Sequence, residues 1–248
     1  MQLSQKAICL RTIDYSETSQ VVCFLTRQQG VVRLLAKGTK RPRSRSGGAI
    51  DLFSEGELVY ISSARQSLGT LVEFRESTTR PALRKSKTSI QAALYMLELT
   101  ASMLAEADPH PEVFDLLHNA MDRLADPKPP QPAVLAYFQY RLLKHVGLMG
   151  ELKRCAACGG DLNKAEGRDI WFSSRVGGLV CRPCSADQAE KIAVDGPTRA
   201  GLAAMLAAEV GKKVSLPGPQ AIGVNRLLAY HIAQQLGRPM RMARHVLA

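Results

Sequence analysis

Four of the six cysteines form two Cys-x-x-Cys pairs, a spacing typical of metal sites. Cys155 and Cys158 make the first pair, and Cys181 and Cys184 make the second after an interval of 22 residues. Two residues between thiolates let a tight turn direct both sulfurs at one ion, and two such pairs complete a tetrahedron. Since four thiolates leave no open coordination position, the pattern predicts one structural Zn²⁺ and no metal catalysis.

The residues around the cysteines support this prediction. Gly159 and Gly160 directly follow the first pair and predict a turn with positive φ. A hairpin within residues 170–181 would carry the second pair. Two alternatives stay open. The cysteines could form two disulfides, which need an oxidising compartment. One pair could instead be redox-active, although such a pair belongs to a βαβ context that the sequence lacks. Cys9 and Cys23 lie in apolar strand patterns and are predicted to be core residues.

Residues 37–45, called the cationic loop below, hold five basic residues among nine, interleaved with Gly, Pro and Ser. They fit neither a helix nor a strand pattern, so we predict a loop between strands. Each Lys or Arg that reaches a phosphate releases a counterion, which gives salt-sensitive affinity without sequence preference. The candidate nucleic-acid-binding residues are Arg33, Lys37, Lys40, Arg41, Arg43 and Arg45. The alternative is a solvated loop that binds nothing.

The sequence shows no known catalytic signature. A P-loop, a nucleophile elbow, a zinc-protease helix and a dinucleotide-binding glycine pattern are all missing. No cluster of acidic residues suggests a Mg²⁺ site for nuclease chemistry. We therefore predict a protein that is not an enzyme.

The elements that would position these residues change character along the chain. Five short apolar segments within residues 6–76 predict five strands, which most economically close into a small barrel of the OB type. Helical spacing of apolar residues then predicts three helices within 90–147 and two more within 196–236. The fold class is α+β, an OB-fold barrel followed by an α-helical domain with a four-cysteine zinc-finger insert. The predicted domains are residues 1–80, 81–150 with 192–248, and the insert 151–191.

Composition and charge limit the function classes. The net charge of +11 is uneven, at +8 over residues 1–87, −3 over 88–150, +1 over 151–191 and +5 over 192–248. Such clustering favours a polyanionic partner, with nucleic acid ahead of anionic lipid. The aromatic residues Phe24, Phe53, Tyr60 and Phe74 lie in or beside strands, and most are predicted to be core, so we expect binding by charge more than by stacking. Without a membrane-length apolar run or a visible secretory signal, the expected location is the cytoplasm.

Five segments of the sequence carry a family resemblance. In chain order they are Ile8-Cys9-Leu10-Arg11, Asp14-Tyr15-Ser16-Glu17, Leu25-Thr26-Arg27, Gly30-Val31-Val32-Arg33-Leu34-Leu35-Ala36-Lys37-Gly38, and Phe138-Gln139-Tyr140-Arg141-Leu142-Leu143 ahead of Cys155. Together with the order of barrel, helices, cysteine insert and closing helices, they resemble the RecO family of DNA-repair proteins over nearly the whole chain.

The resemblance implies a recombination mediator that binds single- and double-stranded DNA and anneals complementary strands. It implies RecR and the single-stranded DNA-binding protein as partners, help in loading RecA onto gaps, and a cytoplasmic, nucleoid-associated location without membrane contact. It also implies that zinc stabilises the protein and takes no part in the mechanism. The alternatives are an RNA-binding or translation-associated OB and zinc-ribbon protein, and a nucleic-acid modifying enzyme that carries a zinc ribbon.

Overall fold

The computed structural model describes residues 2–41, 48–62, 68–126, 128, 130–162, 169–209 and 216–247. The chain divides into two compact units, Met1–Ala125 and Asp126–Ala248. Among the described helices, none is long and apolar enough to cross a membrane.

The first unit is built around five strands that close into a barrel in the order β1-β2-β3-β5-β4, with β4 returning to β1. The strands are β1 (Gln2–Asp14), β2 (Gln20–Thr26), β3 (Gly30–Ala36), β4 (Glu55–Ile61) and β5 (Gly69–Thr78). All neighbours pair antiparallel except β3 and β5, which run parallel. This confirms the predicted barrel, and its strand order is that of an OB fold.

Alternation along β2 decides which side chains enter the barrel. Val22 and Phe24 are fully buried, and the ring of Phe24 lies 5.1 Å from that of Phe74. Cys23, between them, therefore faces outward and is only partly buried, so the prediction that it is a core residue was wrong. Cys9 is fully buried, as predicted.

The parallel contact between β3 and β5 is the shortest junction of the barrel, and we call it the closure. Only Leu34 with Gly69 and Leu35 with Thr70 pair there among the described residues. A Cβ on Gly69 would lie 2.7 Å from Cδ2 of Leu34 and 2.9 Å from the carbonyl oxygen of Ile61. The closure therefore needs glycine, because the backbone approaches both neighbours too closely for a side chain.

Two helices complete the first unit. These are α1 (Lys87–Met103) and α2 (Pro111–Ala125), preceded by a 3₁₀ turn over Pro81–Lys85. The hydroxyl of Ser86 caps α1 by accepting a hydrogen bond from the N–H of Ser89 at 3.2 Å. α1 packs on β1 and α2, and α2 also contacts β2.

A buried charge cluster holds α2 to the barrel. The guanidinium of Arg80 donates to Glu55 at 2.8 Å and to Asp122 at 2.6 Å, and the side chains of Arg80 and Glu55 are 3% and 8% exposed. Nδ1 of His118 lies 2.8 Å from the same Glu55 carboxylate. Since charges this far from water depend on each other, removing one partner leaves the other uncompensated.

We expect Arg80→Ala to lower the free energy of unfolding of the first unit by about 3–5 kcal/mol, because Glu55 would stay buried without its cation. The control is Arg84→Ala, which breaks the exposed pair with Asp51 at 2.5 Å and should cost less than about 1 kcal/mol. Urea unfolding followed by circular dichroism measures both. Equal losses in the two variants would contradict the role of the buried cluster.

The second unit contains three long helices and a small sheet. The helices are α3 (Gln131–His145), α5 (Gly196–Glu209) and α6 (Gly218–Leu236), and α6 packs on both α3 and α5. The amide of Gln139 donates to Asn225 at 2.8 Å, and the amide of Asn225 donates to the carbonyl of Pro132 at 2.8 Å. This buried pair satisfies its polar groups and fixes α3 against α6.

The small sheet carries the cysteines of the second pair. It consists of β6 (Ile170–Ser173), β7 (Gly178–Cys181) and β8 (Lys191–Val194), in the order β7-β6-β8, with α4 (Arg182–Ser185) directly after β7. The hairpin of β6 and β7 confirms the prediction, whereas β8 is a strand that the sequence analysis did not foresee. A last short helix, α7 (Ala243–Val246), ends the unit.

The structure confirms the α+β class. The domain boundaries proposed from the sequence stay a prediction. The compact units place α1 and α2 with the barrel and begin the second unit at Asp126. The physical reason lies in contacts such as the one between Arg80 and Asp122, which join α2 to residues next to the barrel.

Candidate functional site

The first cysteine pair lies in a tight turn. The N–H of Cys155 donates to the carbonyl of Gly160 at 2.9 Å, and the N–H of Gly159 donates to the carbonyl of Cys155 at 2.8 Å. Gly159 has a φ of 72°, as predicted, but Gly160 is not among the described glycines with positive φ. Gly160 instead leaves room for the thiol of Cys158, since a Cβ there would lie 3.3 Å from its Sγ.

The second pair lies at the junction of a strand and a helix. Cys181 ends β7, and Cys184 lies in the single turn of α4. Two backbone contacts hold this junction to the first turn, one from the N–H of Ala156 to the carbonyl of Leu179 at 2.8 Å and one from the N–H of Leu179 to the carbonyl of Glu151 at 3.0 Å. The hairpin therefore brings pairs that are distant in sequence into one cluster.

The four sulfurs have the geometry of a metal centre. They all lie within 4.8 Å of one another, and Sγ of Cys158 is 3.9 Å from Sγ of Cys181. Four thiolates at about 2.3 Å from a tetrahedral ion have sulfurs about 3.8 Å apart. The four predicted ligands are thus together, and the cluster is of the right size to hold a metal ion.

The thiols of the cluster differ in acidity. Burial alone would raise the pKa of the Cys155 thiol, but backbone N–H groups of Cys181, Cys158 and Ala157 lower it to about 6. Hydrogen bonds with Cys181 and Cys158 instead raise the pKa of Cys184 to about 12. The backbone thus favours a thiolate at Cys155, whereas the neighbouring sulfurs favour a protonated thiol at Cys184.

In the first unit, a buried glutamine binds the start of the cationic loop and a residue that follows the loop. Oε1 of Gln20 accepts hydrogen bonds from the hydroxyl of Thr39 at 3.2 Å and from the N–H of Ile50 at 2.9 Å. Its amide donates to the carbonyl of Ile50 at 3.2 Å. Gln20, the first residue of β2, therefore anchors Thr39 of the cationic loop and Ile50 after it.

The start of the cationic loop is also bonded to the turn between β1 and β2. The N–H of Gly38 donates to the hydroxyl of Ser19 at 3.3 Å, and the N–H of Lys40 donates to the carbonyl of Thr18 at 3.1 Å. The N–H of Arg41 donates to the carbonyl of Gly38 at 3.1 Å. Residues 38–41 are thus held in a defined turn against the barrel.

The predicted phosphate-binding cations differ in their surroundings. Lys40 pairs with Asp14 at 2.6 Å, and Arg33 pairs with Glu106 at 2.5 Å. Lys37 and Arg41 are exposed, and neither forms an ion pair within the part of the chain that the structure describes. Their charges are therefore the more available ones for an anion. Arg43 and Arg45 lie outside the described residues.

The sequence analysis missed the two carboxylates that pair with these cations. Asp14 ends β1, and Glu106 forms an isolated bridge with Val31 of β3. A signal existed only for Asp14, an acidic residue in the polar stretch that follows the first apolar segment. The approach of Glu106 to Arg33 depends on how the segment after α1 returns to the barrel, which no local pattern encodes.

The predicted core aromatics are confirmed. Phe24, Phe53, Tyr60 and Phe74 are between 0% and 5% exposed. The partly exposed thiol of Cys23 stays protonated at neutral pH, because burial raises its pKa to about 11. The outer face of the barrel around Arg33 therefore carries no thiolate.

Two family models match this chain. Residues 1–77 match the family model described as "Recombination protein O N terminal", and residues 87–244 match "Recombination protein O C terminal". These ranges cover the barrel with its cationic loop and the unit with its cysteine cluster.

Curated relatives share most of their length with this chain. The DNA repair protein RecO of Myxococcus xanthus is 33% identical over 80% of this chain and 79% of its own length. The RecO protein of Anaeromyxobacter dehalogenans strain 2CP-C is 32% identical over 82% of this chain and 78% of its own length. The RecO protein of Bacillus pumilus is 30% identical over 77% of this chain and 72% of its own length. The chain therefore belongs to the RecO family.

Proposed function

We propose that this protein is a non-enzymatic DNA-binding recombination mediator that anneals complementary strands during DNA repair. Membership of the RecO family supports the role in DNA repair. The single observation that carries the binding step is the anchored turn at the start of the cationic loop, which presents Lys37 and Arg41 without carboxylate partners among the described residues.

Annealing follows from charge neutralisation. Two single strands repel each other through their phosphates, and cations that replace their counterions lower this repulsion. Lys37 and Arg41 would make the direct contacts, with Arg43 and Arg45 continuing the loop. Arg33 and Lys40 would contribute less, because Glu106 and Asp14 already neutralise them. No bond is made or broken, so the proposed function needs no catalytic group.

We further propose that the four cysteines hold one Zn²⁺ as a structural ion. When bound, zinc would neutralise the thiolates and hold the two turns together. The described residues between 150 and 194 form only a three-stranded sheet and one helical turn, so a metal ion would supply much of the folding free energy of this segment. The partners we propose are single- and double-stranded DNA, RecR and the single-stranded DNA-binding protein, and the proposed outcome is RecA loading on gaps.

Annealing of two complementary oligonucleotides, one carrying a fluorophore and the other a quencher, tests the proposal. We expect the protein to raise the annealing rate at least tenfold at about 50 mM salt and to lose most of this effect by about 200 mM. Both strands should be recovered intact in the presence of Mg²⁺. RNA of the same sequence is the control ligand.

An unchanged rate at low salt would refute the annealing proposal. Tighter binding of the RNA control than of DNA would instead favour an RNA-binding protein. Strand cleavage would point to an enzyme. The same assay with strands coated by the single-stranded DNA-binding protein tests whether this protein also anneals coated strands.

A further inference from the structure

An apolar row runs across the outer face of the barrel next to the cationic loop. Ile13 of β1 pairs with Val21 of β2, which pairs in turn with Leu35 of β3. Ile13 is 47% exposed, and Val21 and Leu35 are partly exposed. Since three neighbouring strands place apolar side chains toward solvent, this face has the character of a binding surface rather than of an ordinary barrel exterior.

The aromatic ring at the edge of this row is the most exposed large hydrophobic side chain among the described residues. Tyr15 directly follows β1 and is 67% exposed. Its N–H donates to the carbonyl of Ser19 at 3.0 Å, so the turn that is bonded to the cationic loop also holds Tyr15. The ring is presented to solvent on a fixed backbone.

Tyr15, Leu35, Lys37 and Arg41 line a single open cavity of about 300 Å³. No acidic residue lines it, and Asp14 nearby is held by Lys40. The cavity is at the small end of the range for ligand pockets, about 300–1,000 Å³, and suits a group of nucleotide size. It combines an aromatic face and an apolar wall with two cations, which matches the base and phosphate of a nucleotide.

We propose that Tyr15 stacks on a base of single-stranded DNA while Lys37 and Arg41 contact the neighbouring phosphates. This rests on the proposed function and adds a base-binding residue to it. Bases within a duplex stack on one another and do not present their faces, so Tyr15 would act on single strands only. The expectation of binding by charge more than by stacking is thereby extended, because the scarce aromatics include one that is not in the core.

The test compares two strands that differ only in their bases. Affinities of the full-length protein are measured by fluorescence anisotropy for an oligothymidine and for an abasic strand of equal length. We expect Tyr15→Ala to weaken oligothymidine binding about tenfold, as for one base–ring stack, and binding of the abasic strand less than about twofold. Tyr15→Phe should bind both strands as the wild type does, because stacking needs the ring and not the hydroxyl.

Ile61→Ala is the matched control, since Ile61 is 45% exposed on β4 of the same barrel but lies outside the apolar row. It should change neither affinity. Equal losses for both strands, or no loss, in Tyr15→Ala would overturn the inference while leaving the proposed function intact. Failure of the wild type to bind either strand would refute the proposed function itself.

Discussion

Replacing both Lys37 and Arg41 by alanine lowers the affinity for single-stranded DNA about 25-fold at about 0.1 M salt, if each contacts one phosphate. The estimate follows from counterion release, since each lost contact with a single strand reduces the slope of log K against log salt by about 0.7. In the double variant, the magnitude of the slope of log K against log salt should therefore fall by about 1.4. Anisotropy titrations across a salt series measure both quantities.

Two control variants distinguish the loss of direct phosphate contacts from the loss of positive net charge. Lys85→Ala with Lys87→Ala removes the same charge from exposed positions of the same unit, and its effect should be much smaller. Asp14→Ala with Lys40→Ala removes an ion pair and conserves net charge, so the affinity should stay within about twofold. If this last variant weakened binding as much as the loss of Lys37 and Arg41, Lys40 would be a direct contact and our ranking of the cations would be wrong.

We expect removal of the proposed Zn²⁺ to unfold the cysteine-bearing part of the second unit and to leave the barrel folded. Structural zinc sites contribute about 10–16 kcal/mol of apparent binding free energy, which a small three-stranded sheet cannot replace. The only tryptophan of the chain, Trp171, lies in β6, so its fluorescence reports on this part alone. We expect one Zn²⁺ per chain by elemental analysis and a red shift of the Trp171 emission on chelation.

Single substitutions make this prediction specific. Cys158→Ser should reproduce the fluorescence change without chelator, because three thiolates leave the tetrahedron open. Cys23→Ser, in the barrel, should keep the full metal content. A protein that is purified under reducing conditions and contains no metal would overturn the assignment, and so would an unchanged Trp171 emission in Cys158→Ser. DNA binding by the chelated protein would show that the barrel is still folded.

The features that the sequence predicted are those encoded over a few neighbouring residues. The spacing between Cys155 and Cys158 forces both sulfurs to one side of a turn, and the β-branched and aromatic residues around Val22 and Phe24 favour a strand. Gly159 was predicted correctly for the same reason, since its positive φ belongs to the local turn. These signals do not depend on how the rest of the chain folds.

The features that it missed depend on distant segments. Glu106 neutralises Arg33 only because the chain after α1 returns to β3. Gln20 has the sequence pattern of an ordinary strand residue, yet its buried side chain binds Thr39 in the cationic loop and Ile50 after it. Composition counted the aromatic residues without showing that Tyr15 faces solvent. The sequence thus predicted the candidate DNA site as a set of basic residues. The structure shows which of these residues already pair with a carboxylate, namely Arg33 and Lys40.

The closure between β3 and β5 has a consequence for where the barrel opens locally. A junction of two residue pairs has less hydrogen bonding to lose than the antiparallel neighbours, so local opening costs the least free energy there. Opening would expose the free edges of β3 and β5, which are the kind of edge that recruits a strand from another molecule.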